Sequence, residues 1–164
     1  MIFDWKRFIE SQYWGSKASG ILPICKSTGR IGIGLRSHWV NQPNTWGNFG
    51  GAIGLGHYGE SLEEKSPEEN AMDELREETG FYGEVELIPS YVFEKPDFKY
   101  YNFIGIVDKE FELDLSDIEH IEVTQIIWVT LEELLKKDNI HSGLKEMITQ
   151  SIDQLESVIS TYTG

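Results

Sequence analysis

Apolar and polar positions alternate along most of the chain with periods that separate strands from helices. Ala18 to Cys25 is a nearly unbroken apolar run, and Arg30 to Arg36 places Ile31, Ile33 and Leu35 on one face with glycines on the other. Both read as strands, joined by a hairpin-like turn at Ser27-Thr28-Gly29. The glycine face leaves room for something to lie close. His38 to Asn44 is a polar loop. Trp46 to Gly59 holds glycines at 47, 50, 51, 54, 56 and 59, which predicts a strand running into a mobile or sharply turning loop. Glu84 to Phe93 and Lys99 to Val107 predict two further strands around the turn EKPD, and Gln125 to Val129 another. Helical spacing marks Phe3 to Tyr13, with Phe3, Ile9 and Tyr13 inward. It also marks LEELLKK, capped by Thr130 with Glu133 three residues on, and a closing helix over Leu144 to Tyr162.

The stretch SPEENAMDELREETGF, residues 66–81, bears on chemistry as well as fold. Ser66 suits an N-cap, Pro67 the first helical position, and Glu69 completes a capping box. Gly80 suits the left-handed residue that ends a helix. The predicted helix, about 66–80, buries a stripe of Ala71, Met72, Leu75 and Thr79. Glu74, Glu77 and Glu78 share one side beside that stripe, at the edge of the core. Three carboxylates there repel one another unless a cation sits among them. A hard divalent cation such as Mg²⁺ is held by a few carboxylates together with substrate phosphates. The pattern therefore predicts a metal-dependent site for a phosphorylated substrate.

Composition narrows the class. At 164 residues the chain fits one domain, 1–164, and 40% hydrophobic and 12% aromatic residues supply a core. Strands that precede and follow the acidic helix predict an α/β (α+β) sandwich with a mixed β-sheet. The run MIFDWKRFIE carries charges and lacks a long apolar core, so it does not read as a secretory signal. No apolar run is long enough to span a membrane. A lone cysteine, Cys25, cannot form an internal disulfide; a buried thiol in the cytoplasm is the expectation. A net charge of −14 excludes a general nucleic-acid binder. It leaves a small anionic substrate open, because a bound cation inverts the local field.

DELREETGF resembles the end of the Nudix box, G-x5-E-x7-R-E-U-x-E-E-x-G-U, where U is a bulky apolar residue: Glu74, Leu75, Glu77, Glu78, Gly80 and Phe81 match. Upstream, WGNFGG resembles the strand end W-x-x-P-G-G, with Phe49 in place of proline. RIGIGLRS resembles the family's early strand, and IIWVTLEELLKK its closing strand and helix. The resemblance runs from about Ala18 to about Lys137. It departs from the pattern at Asp73, which holds the arginine position, and in the glycine loop. At family spacing Lys65 stands for the glutamate and Gly59 for the first glycine. Counting from Gly54 instead gives Glu60 and five extra residues before Asp73; counting from Gly51 gives eight extra. An inserted loop within Gly54 to Lys65 is the preferred reading. The alternative keeps the spacing and makes Lys65 and Asp73 a charge-exchanged pair. Arg76 is a second candidate partner of Asp73.

The resemblance implies a Nudix-like α/β/α sandwich and a Mg²⁺-dependent hydrolase, with Mn²⁺ as a substitute. Such an enzyme cleaves the pyrophosphate linkage of a nucleoside diphosphate-X compound: a (d)NTP, an oxidised nucleotide or a nucleotide sugar. It implies Glu74, Glu77 and Glu78 as metal ligands, Glu74 also orienting or deprotonating water, and the Gly51 or Gly50 carbonyl as another ligand. Glu122, rather than Glu119, is the choice for a base outside the box. Arg36 is the candidate phosphate contact and Trp46 a candidate base platform. The implied partners are a small nucleotide and a second copy in a homodimer. The competing reading is a catalytically impaired Nudix-type module that binds a nucleotide or a protein. Isomerase chemistry on an isoprenoid diphosphate lacks an evident Cys–Glu pairing.

Overall fold

The computed structural model describes Lys17 to Thr163; the helix expected over Phe3 to Tyr13 lies outside these residues. Among them run β1 (Lys17–Cys25), β2 (Ile31–Arg36), β3 (Trp46–Gly47), β4 (Phe49–Ala52), β5 (Leu55–Tyr58) and β6 (Ser61–Glu64). Helix α1 (Pro67–Thr79), β7 (Glu86–Lys95), β8 (Phe98–Val107), β9 (Val123–Val129), α2 (Leu131–Lys136) and α3 (Ser142–Thr163) follow. Seven strands make one mixed sheet along the path β3-β2-β1-β8-β7, with β9 on β2 and β4 on β1. β1 and β8 are parallel; the other pairs are antiparallel.

The two sides of β1 feed two cores, as alternation requires. Ile21 enters a layer with Ala71 and Leu75 of α1, Phe49, Phe103 and Val123. Leu22 and Ile24 enter the opposite layer with Leu144, Met147 and Leu155 of α3 and Leu134 of α2. A strand covered on both faces reads as a continuous apolar run, which is why residues 18–25 carry so little polarity. The glycine face of β2 is filled by the protein itself. A Cβ on Gly32 would lie 3.0 Å from the Trp128 ring, and one on Gly34 would lie 2.7 Å from Phe49 Cε1.

β1 and β2 share one registered pair, Ile24 with Ile31, and then part. Beyond it β3 stays on β2 while β4 crosses to β1, where Gly50 faces Gly20. Asn48 is the step between them. This split in the sheet positions the site. The stretch after it is not the predicted loop: β5 and β6 form a separate two-stranded hairpin, Leu55 opposite Glu64 and Tyr58 opposite Ser61. Local signals set the helix ends as read. The Ser66 side chain accepts the Glu69 amide at 3.1 Å. Gly80 has φ 74° and donates to Arg76 O, and Thr130 and Glu133 form a capping box. Among the described residues no helix is long and apolar enough to cross a membrane.

Candidate active site

Asn70 fixes α1 against the split. It is buried, and its Nδ2 donates to Ser19 Oγ and to Gly51 O, each at 3.1 Å, while Oδ1 accepts the Gly54 amide at 3.3 Å. One side chain thus ties the helix to β1, to β4 and to the start of the hairpin. Glu74 and Glu78, one and two turns further on, are each only 8% exposed. Glu78 Oε1 accepts the Gly50 N–H at 3.1 Å. Two carboxylates four residues apart on one buried helix face repel, and burial raises the cost of leaving such charge uncompensated.

Gly50 and Gly20 leave no room for a side chain: a Cβ at either position would collide with the Tyr100 hydroxyl and with a backbone carbonyl, that of Ser19 or of Phe49. Tyr100 is half-buried as a residue, but its hydroxyl end is enclosed by this glycine pair and accepts from Asn48 Nδ2 at 3.3 Å. Burial, and then the charge of Glu78, pushes the phenol well above its ordinary value, with a smaller push from Glu74; the Asn48 hydrogen bond and, more weakly, the Arg36 charge oppose it. Tyr100 therefore stays neutral beside the carboxylates. Neither Asn70 nor Tyr100 was singled out by sequence, because each earns its place only through a strand distant along the chain.

Glu77 is exposed, whereas Glu74 and Glu78 are buried, and it lies within the field of Lys65. Lys65 Nζ meets Asp73 Oδ2 at 2.9 Å, the two side chains 20% and 30% exposed. Arg76 reaches Asp73 only at 3.9 Å. Burial pulls the Lys65 ammonium down, but its hydrogen bond to Asp73 and the charges of Asp73, Glu77 and Glu69 together hold it above the usual lysine value. The region thus holds a β5–β6 hairpin and, at its end, a Lys65–Asp73 ion pair.

Arg36 and Glu122 come to one end of the sheet. Arg36 is paired with Val123, and the Ser37 amide donates to the Glu122 carbonyl at 2.8 Å. The Arg36 guanidinium donates from Nε (2.9 Å) and Nη2 (2.5 Å) to Asn41 O. Its charge reaches Tyr100 and His141. Burial, and then the Arg36 charge, lowers His141 from 6.5 to about 4. Its Nδ1 accepts the Gly143 amide at 2.9 Å. Trp46 is not brought to the carboxylates. Its ring packs on the α3 layer, with Lys137 Nζ 4.8 Å from the ring centroid, because β3 follows β2 away from β4. Gly51 follows Gly50 in β4, and its carbonyl accepts from Asn70.

Among the described residues no three His, Cys, Asp or Glu side chains converge as a ready-made metal cage. The donor set is nonetheless all hard oxygen: two buried carboxylates at the end of a glycine strand, with Glu77 at the rim. That chemistry fits Mg²⁺ or Mn²⁺, which take few protein ligands and complete their shell with water and phosphate oxygens.

A mixed sheet between helices, split over an acidic capped helix, is an α/β/α sandwich of the Nudix type. The chain belongs to the Nudix family: the family model described as NUDIX domain matches residues 17–150. Solved structures agree in fold. The Nudix hydrolase RenU of M. smegmatis is 18% identical, over 90% of this chain and 87% of that one, with a TM-score of 0.63. A NUDIX hydrolase from Nitrosomonas europaea is 14% identical over 92% and 75%, TM-score 0.63. The NUDIX domain of Shewanella oneidensis NrtR, complexed with ADP ribose, is 14% identical over 85% and 88%, TM-score 0.57. At these identities the likeness is one of fold. No protein of curated function matches the chain.

Proposed function

We propose that this chain is a Mg²⁺-dependent hydrolase, also served by Mn²⁺, that cleaves the pyrophosphate linkage of a nucleoside diphosphate-X compound. The observation that carries this reading is the buried Glu74/Glu78 pair, with Glu78 on the Gly50 amide at the split of the sheet. Glu74, Glu78 and a carbonyl of Gly50 or Gly51 would hold the cation, and Glu77 would reach it from the rim. When bound, the cation neutralises phosphate charge and lowers the pKa of a coordinated water. The chain's own residues do the rest. Arg36 binds a phosphate oxygen, Glu122 takes a proton from water, and Tyr100 stays a neutral neighbour. With Cys25 buried, a reducing cytoplasm suits the protein.

The test is release of phosphate, pyrophosphate or a nucleoside monophosphate from a panel of (d)NTPs, oxidised nucleotides and nucleotide sugars, with and without Mg²⁺ or Mn²⁺. ADP-ribose, held by the NrtR domain, belongs on that panel. Metal-dependent turnover of one class supports the reading, and metal-independent turnover sinks it. The Asp73 departure and the outward Glu77 favour a second reading, a nucleotide-binding Nudix module without turnover. Tight binding with no product under any metal would establish it.

A further inference from the structure

We propose that Lys65 is a positioning residue for the carboxylate pair and that the β5–β6 hairpin is the arm that delivers it; this deepens the function proposed above. The hairpin closes on itself at its base, where the Lys65 amide donates to Gly54 O at 2.9 Å. Gly54 is in turn held by Asn70 of α1. The backbone of Lys65 is therefore pinned beside the helix before its side chain reaches out.

That side chain enters a line of negative charge. Glu69, Asp73 and Glu77 succeed one another at four-residue steps, the spacing at which like charges on a helix repel. All three act on the Lys65 ammonium, and Asp73 holds it at 2.9 Å. A second tie from the hairpin, Tyr58 hydroxyl to Glu69, meets the same stripe. Glu74 and Glu78 form the neighbouring stripe, turned inward to β4. With the outer stripe compensated by Lys65, the helix holds the rotation that sets Glu78 on the Gly50 amide. Relative to the box pattern the two charges are exchanged between loop and helix, so the attraction is kept while its carrier becomes the inserted hairpin.

Lys65→Glu, Asp73→Arg and the exchanged double variant, beside wild type, test this. Three readouts serve: Mn²⁺ affinity by electron paramagnetic resonance, kcat and KM on the panel, and hydrogen exchange of the Gly50 amide. Each single exchange is expected to weaken Mn²⁺ binding, lower kcat and speed Gly50 exchange by about tenfold, with the double variant back within about threefold of wild type, as coupling of contacting side chains predicts. Lys65→Arg should keep all three near wild type, which separates positioning from a general loss of fold. Effects of the two exchanges that simply add overturn the proposal. So does Lys65→Met that tightens Mn²⁺ binding with Gly50 exchange unchanged, since Lys65 would then be only a neighbouring charge. Should wild type bind no Mn²⁺ and turn over nothing, the proposed function falls. Gly50 exchange across the four chains still decides whether the pair sets the helix.

Discussion

Glu78 accepts the Gly50 amide proton through Oε1, so glutamine there keeps an acceptor and the volume while removing a charge. Glu78→Gln is expected to cut metal-dependent turnover by about 100-fold or more, the scale of losing one transition-state contact. Its thermal midpoint should stay level or rise, because one of two repelling neighbours is neutralised. A variant that keeps its turnover would remove the pair from the chemistry. His141 makes a pH prediction. Its value in the fold, about 4, lies below the ordinary 6.5, so above pH 6.5 it is neutral in both states and costs nothing. As pH falls from 6.5 towards 4 the unfolded chain takes up the proton and the folded one does not, so stability is lost across that window. Thermal midpoints measured from pH 7 to pH 4 should fall less steeply in His141→Gln than in wild type. At this scale the spacing of residues 74, 77 and 78 was readable, because a helix fixes neighbours three and four apart. Which of the three is buried was not, since that depends on where β4 ends.

Elements with chemical end signals were legible to within a residue or two. Ser66, Pro67 and Gly80 bound α1 because capping satisfies backbone groups from within the segment itself. Gly80 adds a tertiary demand that the sequence hides: besides φ 74°, a Cβ there would run into the Asp114 carbonyl. Gly59, at φ 67° in the hairpin turn, has nothing within 4 Å of its Cβ position. Alanine at 59 should therefore cost only the left-handed penalty, about 1–2 kcal/mol, and alanine at 80 clearly more, as chemical denaturation of both variants would show. Equal losses would mean that the 80–114 contact yields freely. The hairpin itself escaped the sequence because LGHY and SLEE are four residues each and show no apolar alternation. Their pairing comes from a turn and a base closed by Gly54 and Lys65.

The whole molecule carries a net charge of −14, and such a surplus destabilises the compact state through self-repulsion. Added sodium chloride should raise the thermal midpoint of wild type and of Glu74→Gln/Glu78→Gln alike, by screening. Mn²⁺ should add a further increment in wild type, about 2.7 kcal/mol at a hundred times its dissociation constant, and none in the double variant. An equal Mn²⁺ response in both would assign the effect to general screening. Strands β1, β2, β7, β8 and β9, the three described helices, the ends of α1 and the presence of an acidic face could be read from the order of residues alone. These follow from periodicity and capping, which act over a few residues. Tertiary structure decided that Glu74 and Glu78 turn inward while Glu77 faces out, that Trp46 belongs to the far layer, and that Lys65 meets Asp73. Those outcomes depend on where β1 and β2 part and on a hairpin folding back upon a helix, and contacts between distant segments leave no local trace in the order of residues.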